Sequence, residues 1–141
     1  ERESAFSGNY VANFVGGKEF YLFSERTGQK TKKSVVLDTK FTLAGGQRYT
    51  PIDLDASILS GETEYDWSRA FAEQFADYMR WDVRLAFKMD GKFATQEWAI
   101  DIQNVTNRKN PLYQRYNPAD QEINTVYQLG IFPVPQYRIT F

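Results

Sequence analysis

The chain has 141 residues, 42% hydrophobic and 25% charged, with 17 basic and 18 acidic residues giving a net charge of -1. This balance fits one folded domain, excludes a disordered chain, and gives no broad positive field for nucleic acid or an anionic membrane surface. Cysteine and histidine are both absent, which removes disulfides, thiol and imidazole catalysis, and the usual zinc ligand sets. No apolar run approaches the roughly 18 residues of a membrane helix, and the opening ERESAFSGNY does not read as a signal peptide. If the protein is exported, its targeting segment is expected outside this chain. Aromatic residues reach 16%, a content that suits either a soluble core or the two interfacial belts of a membrane barrel.

In chain order, alternation of apolar and polar residues marks five strand candidates. The first is NYVANFVGGKEFYLF, residues 9–23, with Tyr10, Ala12, Phe14, Phe20 and Leu22 on one face and Lys18 as a blemish. Its glycine pair, Gly16 and Gly17, is a candidate bulge. The second is SVVLDTKFTLAG, residues 34–45. The third, DYMRWDVRLAFKM, residues 77–89, interleaves two sequences. Met79, Trp81, Val83, Leu85 and Phe87 alternate with Arg80, Asp82, Arg84, Ala86 and Lys88. The fourth is QEWAIDIQNV, with Trp98, Ile100 and Ile102 against Glu97, Asp101 and Gln103. The fifth is VYQLGIFPVPQYRITF, whose odd face runs from Tyr127 through Leu129, Ile131, Pro133 and Pro135 to Tyr137, Ile139 and Phe141.

The connections alternate in length. SERTGQKTKK and the Asp-Gly pair of DGK are short, and Asp-Gly is what a two-residue type I′ hairpin turn asks for. The other two run roughly 30 and roughly 20 residues, long for loops in a compact domain. Both long connections fall at one end of the strands and both short ones at the other. That is the asymmetry of outer-membrane barrels. A two-residue turn at Asp90 and Gly91 places Arg84 opposite Glu97 and Arg80 opposite Asp101. It places Met79, Trp81 and Val83 opposite Ile102, Ile100 and Trp98 on the other face. Opposite-charge cross-strand pairs contribute about 0.2–1 kcal/mol each. The charged face cannot meet lipid, because Arg or Lys at the bilayer midplane costs about 2–4 kcal/mol. The odd face of the third strand therefore meets lipid or a core.

The phrases GNYVANFVGGKEF, GGQRYTPIDLDAS, RAFAEQFADYMRWDVRLAFKM, EWAIDIQNVTNRKN and YQLGIFPVPQYRITF together resemble the C-terminal end of a TonB-dependent outer-membrane receptor. The resemblance covers nearly all of residues 1–141, and the order of segments agrees. It implies an all-β fold: the last five or so strands of an antiparallel, up-and-down transmembrane barrel of about 22 strands. It implies ligand uptake across the outer membrane of a Gram-negative cell, with no enzyme activity and no cofactor. The implied partners are the plug and other strands of the same receptor, TonB through an N-terminal region absent from this chain, the outer-membrane assembly machinery and the bilayer. Five strands at about 4.8 Å spacing span a ribbon roughly 24 Å wide with two open edges, so the chain is expected to be a piece of a larger receptor.

On this reading Met79, Trp81, Val83, Leu85, Phe87, Trp98, Ile100 and Ile102 face lipid. Arg80, Asp82, Arg84, Lys88, Glu97, Asp101 and Arg138 face the lumen, pairing with one another and with the plug. Tyr137, Ile139 and Phe141 form the aromatic-terminated strand that the assembly machinery reads, by strand addition. The long-loop aromatics Tyr49, Tyr65, Trp67, Tyr113 and Tyr116 either pack the loops or grip an external ligand such as a sugar or chelate, the scarce ligand implied for the receptor being a chelate, oligosaccharide or peptide. Asp53 and Asp55 have a spacing that could serve calcium, but without a glycine-bearing ligand loop they read as a solvated loop. NVT, residues 104–106, fits a glycosylation pattern and reads as coincidence in an outer membrane. The rival class is a soluble β-barrel or β-sandwich binding lipid or sugar, which the two long polar connections oppose.

Overall fold

A computed structural model describes residue 4, residues 7–22 and residues 32–141. Most of the 24–33 connection and part of the N-terminal decapeptide lie outside the described residues. The elements are β1 (Val11–Leu22), β2 (Lys32–Ala44), β3 (Arg48–Tyr49), helix α1 (Leu54–Ser60), a 3-10 turn (Trp67–Arg69), β4 (Glu73–Gln74), β5 (Tyr78–Asp90), β6 (Thr95–Gln103), β7 (Pro111–Asn117), β8 (Glu122–Tyr127) and β9 (Phe132–Thr140). One sheet has five strands in the order β1-β2-β5-β6-β9, and β3–β4 and β7–β8 form separate two-stranded ribbons. The fold is all-β and mostly antiparallel. Among the described residues the large sheet does not close, and β1 and β9 are its edges.

The chain divides into two compact units. The sheet unit takes residues 13–42, 80–108 and 130–141, and the loop unit takes residues 1–12, 43–79 and 109–129.

In the sheet unit the five strand candidates appear close to their expected places, with two corrections. The first concerns register. β5 and β6 pair Val83 with Ile102, Arg84 with Asp101, Leu85 with Ile100, Phe87 with Trp98, Lys88 with Glu97 and Asp90 with Thr95. Every pair is displaced by four residues from the one a two-residue turn dictates. Asp90 is still in the strand, Gly91 does not adopt positive φ, and residues 91–94 form a longer loop closed by the Gly91 amide donating to the Ala94 carbonyl at 2.9 Å. An even displacement leaves each side chain on its expected face, because side chains alternate with period two. The second correction concerns the last strand. β9 begins at Phe132, so Tyr127 ends β8 and Leu129 and Ile131 belong to the intervening bend. The bend is fixed by Asn107, whose side-chain oxygen accepts from the Ile131 amide at 3.0 Å. A Cβ on Gly130 would sit 2.2 Å from that same oxygen, so a larger residue there would have to displace the Asn107 side chain from its bond to Ile131. β1 runs unbroken through Gly16 and Gly17.

The NVTNR phrase is a turn that ends β6. Asn104 and Asn107 both take φ 51°, a left-handed conformation that asparagine tolerates better than most residues. Asn104 is 3% exposed. Its side chain accepts from the Arg108 amide and the Thr106 hydroxyl and donates to the Arg108 carbonyl. Its own amide donates to Asp82 at 2.9 Å, and the Val105 amide reaches the Trp81 carbonyl at 2.8 Å.

In the loop unit the two long connections are not structureless. Asp53 caps α1, accepting from the Ala56 amide at 3.0 Å, and Gly61 ends the helix in the left-handed conformation. Ser57 is fully buried; its hydroxyl donates to the Asp53 carbonyl and accepts from the Glu64 amide. Asn110, 2% exposed, stands in for a strand partner: its amide oxygen accepts from the Met79 amide at 3.1 Å and its NH2 donates to the Met79 carbonyl at 2.9 Å. Gly46 lies so near Phe75 that a Cβ would meet the Phe75 carbonyl oxygen at 1.8 Å. Asp77 accepts from the Gly46 amide and, at 2.6 Å, from the Tyr10 phenol, and that bond holds the Tyr10 proton on above the ordinary phenol range.

Candidate functional site

Within the sheet unit the pairing carries one polar row and one apolar row across β5, β6 and β9. On the polar face Arg84 stands opposite Asp101, Ala86 opposite Ala99 and Gln136, and Lys88 opposite Glu97 and Arg138. Arg84 does more than pair with its neighbour. It contacts Asp101 at 3.3 Å and reaches Glu97 at 2.6 Å, so its side chain crosses the alanine pair that separates them. The small size of Ala86 and Ala99 leaves room for that crossing, and they are only 2% and 8% exposed. Gln136 accepts from Arg84 at 3.2 Å and donates to Asp101 at 2.5 Å. Lys88 completes the group at 3.7 Å from Glu97.

The expected Arg84–Glu97 contact is therefore present, but as a reach along the sheet rather than a facing pair. Arg80 and Asp101, expected to face one another, do not, because the register moves Asp101 to Arg84. Arg80 instead holds Asp82 of its own strand, at 2.7 and 3.0 Å. A depression of about 220 Å3 on this unit is lined by Asp82, Arg84 and Asp101 and by four polar residues that sequence reasoning did not single out, Asp38, Thr39, Lys40 and Gln103. Asp38 and Lys40 alternate in the second strand candidate, and that alternation was the signal.

On the apolar face Val83, Ile102 and Pro133 align, then Leu85, Ile100 and Pro135, then Phe87, Trp98 and Tyr137. The last row is a run of aromatic rings, with centroids 6.0 Å apart between Phe87 and Trp98 and 5.5 Å between Trp98 and Tyr137. Trp81 turns its indole N–H to the Thr39 hydroxyl at 2.7 Å. Burial is inverted relative to a soluble sheet. Leu85 is 50% and Trp98 41% exposed, whereas the side chains of Glu97 and Arg84 are 12% and 26% exposed. Tyr137 and Ile139 lie on β9, while Phe141 stands just past its end and is 93% exposed.

The loop unit holds the second candidate site. Tyr49, Tyr65, Trp67 and Tyr113 line one groove of about 260 Å3, together with Phe71 and Phe75. Tyr116, the fifth expected aromatic, is 6% exposed and does not line it; it belongs to the packed interior of the unit. Tyr49 stacks on Phe75, with centroids 4.1 Å apart and planes 19° apart, and Tyr65 meets Trp67 at 5.9 Å and 55°. The 3-10 turn that presents Trp67 is capped by Asp66, which accepts from the Ser68 hydroxyl and amide. The Ser68 hydroxyl above all holds the Asp66 carboxyl below its ordinary range. Gln47, Arg48, Thr50 and Gln114 supply the polar lining. These four were missed, although the alternation of PLYQRY marks Gln114 as a strand residue beside Tyr113. Among the described residues no cluster of three or more acidic side chains could hold a metal ion.

Neither family models, nor curated proteins, nor solved structures gave a match to this chain.

Proposed function

We propose that the five-stranded sheet is a section of transmembrane barrel wall in an outer-membrane receptor of the TonB-dependent kind, importing a scarce ligand into a Gram-negative cell. The observation that carries this reading is the inverted burial. Large apolar side chains such as Leu85 and Trp98 stand open while the charged row is covered by its own members and by Gln136. Water disfavours that arrangement, and hydrocarbon outside with a wet lumen inside favours it. The aromatic run Phe87, Trp98 and Tyr137 supports it further, as a stretch of interfacial girdle. In this setting Met79, Trp81, Val83, Leu85, Phe87, Trp98, Ile100 and Ile102 meet lipid. Arg84, Lys88, Glu97 and Asp101 form a neutralised lumen network, with Arg80, Asp82 and Arg138 on the same face.

The edges β1 and β9 then require neighbours, since each unpaired backbone N–H or C=O in hydrocarbon costs several kcal/mol. Those neighbours are further strands of the same receptor, which also supplies the plug and the contact with TonB. Tyr137, Ile139 and Phe141 serve as the strand that the assembly machinery engages.

The test is single-cysteine scanning of residues 79–88 in the full chain in membranes, clean because the chain has no native cysteine. Cysteines at 80, 82, 84 and 88 are expected to react with a bulky water-soluble thiol reagent. Those at 81, 83, 85 and 87 are expected to react only with a lipid-soluble one. Ready labelling of 81 and 85 by the water-soluble reagent, or resistance to both, would sink the membrane reading.

A further inference from the structure

We infer that the groove of the loop unit is a carbohydrate site, sized for one or two sugar rings. Its walls carry the two kinds of group that a sugar needs. Tyr65, Trp67 and Tyr113 are 42%, 71% and 48% exposed and bring aromatic rings to the groove, whose partly negative π faces attract the slightly positive C–H face of a pyranose. The same groove is lined by Gln47 and Gln114, whose side-chain amides take no hydrogen bond from the described residues. An amide donates and accepts at once, as a sugar hydroxyl does, so each can answer a hydroxyl in either sense.

Three further observations narrow the ligand. No carboxylate lines the groove, and its one charged residue is Arg48, so the lining opposes a cation. The two ring pairs differ in geometry: Tyr49 and Phe75 are nearly parallel and in contact, whereas Tyr65 and Trp67 lie at 55°. Rings in contact leave no slot for a flat aryl group between them, and the tilted pair makes an angled platform that suits a puckered ring. The volume, about 260 Å3, lies below the roughly 300–1,000 Å3 of drug-sized pockets, which limits the occupant to a short saccharide or the end of a longer one.

As the import ligand, this sugar rests on the receptor reading. The binding chemistry does not, and cysteine labelling and sugar titration fail separately. The experiment uses the full chain in a zwitterionic detergent, since sugar headgroups of common detergents would compete. Maltose, cellobiose and N,N′-diacetylchitobiose are titrated by calorimetry, with 2,3-dihydroxybenzoate as a planar aryl probe. Trp67→Ala and Gln114→Ala are titrated in parallel. Trp67 is 71% exposed and lies outside both ribbons, so its removal is expected to leave them intact, and circular dichroism checks both variants. The expected result is saturable binding of at least one disaccharide, weakened about tenfold or more in either variant. Binding of dihydroxybenzoate alone, binding of nothing, or sugar affinity unchanged in both variants overturns the assignment.

Discussion

The two units solve opposite problems with the same kinds of residue. In the sheet unit the polar side chains are gathered on one face, where Arg84, Lys88, Glu97, Asp101 and Gln136 satisfy one another, and the apolar face is left open. In the loop unit single polar side chains go inside. Asn110 and Ser57 are almost wholly buried, and each bonds backbone groups directly: Asn110 both polar groups of Met79, and Ser57 the Glu64 amide and, beside its own amide, the Asp53 carbonyl. The difference follows from backbone bookkeeping. Long strands satisfy their own N–H and C=O groups through the ladder, which frees side chains for the surface. Short ribbons and turns cannot, so buried side chains complete their hydrogen bonds. Exposed apolar surface then means different things in each unit: a continuous face in one, an aromatic groove in the other.

The comparison can be broken most decisively at Leu85. Leu85→Arg in the sheet unit is expected to cost about 2–4 kcal/mol in lipid vesicles if the residue lies near the midplane, measured by denaturant unfolding. On a water-facing sheet the same change at a half-exposed position would fall within about 0.5 kcal/mol. A silent substitution in vesicles would remove the contrast between the units. Asn110→Leu probes the opposite device. It strips Met79 of both bonds from the Asn110 side chain, and with about 1–3 kcal/mol for each buried group left unsatisfied, a loss of about 2–6 kcal/mol is expected in the same assay. If the variant is as stable as the parent, the buried amide is not what holds the loop unit.

Smaller effects sharpen the picture. Asp53→Ala removes the N-cap of α1 and is expected to cost about 1 kcal/mol, with Asp53→Asn retaining most of the stability. The smallest effect is one of pH. Asp66 is held below its free value by the Ser68 hydroxyl first, then by the Ser68 amide and nearby Arg69. A carboxyl with a depressed folded pKa contributes stability that is present above its unfolded value near 3.9 and lost as pH falls through the folded one. NMR titration of the Asp66 carboxyl should therefore find its midpoint below about 3.9, and Ser68→Ala should move it upward. A midpoint unchanged by that substitution would mean that the Ser68 hydroxyl does not set it.

Much of this was legible in the chain. The period-two pattern of residues 77–89 places Trp81 and Leu85 opposite in sense to Arg80 and Arg84 whatever the register, which is why the residues sharing each sheet face are the expected ones although the Asp90–Gly91 turn is not. The aromatic groove was half legible. Aromatic residues in polar connections stood out, so Tyr49, Tyr65, Trp67 and Tyr113 were found, but nothing local said that Tyr116 turns inward. Gln47 and Gln114 were invisible for the same reason: an amide's role depends on which rings stand beside it. The ribbon β7–β8 carried a signal that was missed, since the alternation of Leu112, Gln114 and Tyr116 is broken from that of Ile123 and Thr125 only by a proline-containing turn.

Local pattern by itself determined the five long strands, the residues that share each of their faces and the asymmetry of the connections, because each depends on residues close in sequence, whereas the helix cap at Asp53, which the sequence presented as a solvated loop, emerged only in the fold. Tertiary structure decided the rest. The four-residue loop after Asp90 set which charges meet. The alanine pair Ala86 and Ala99 let Arg84 span from Asp101 to Glu97. Asn107 and Gly130 fixed where β9 could begin. Contacts across long separations arise only when strands come side by side, and the spacing of residues along one chain carries no measure of that distance.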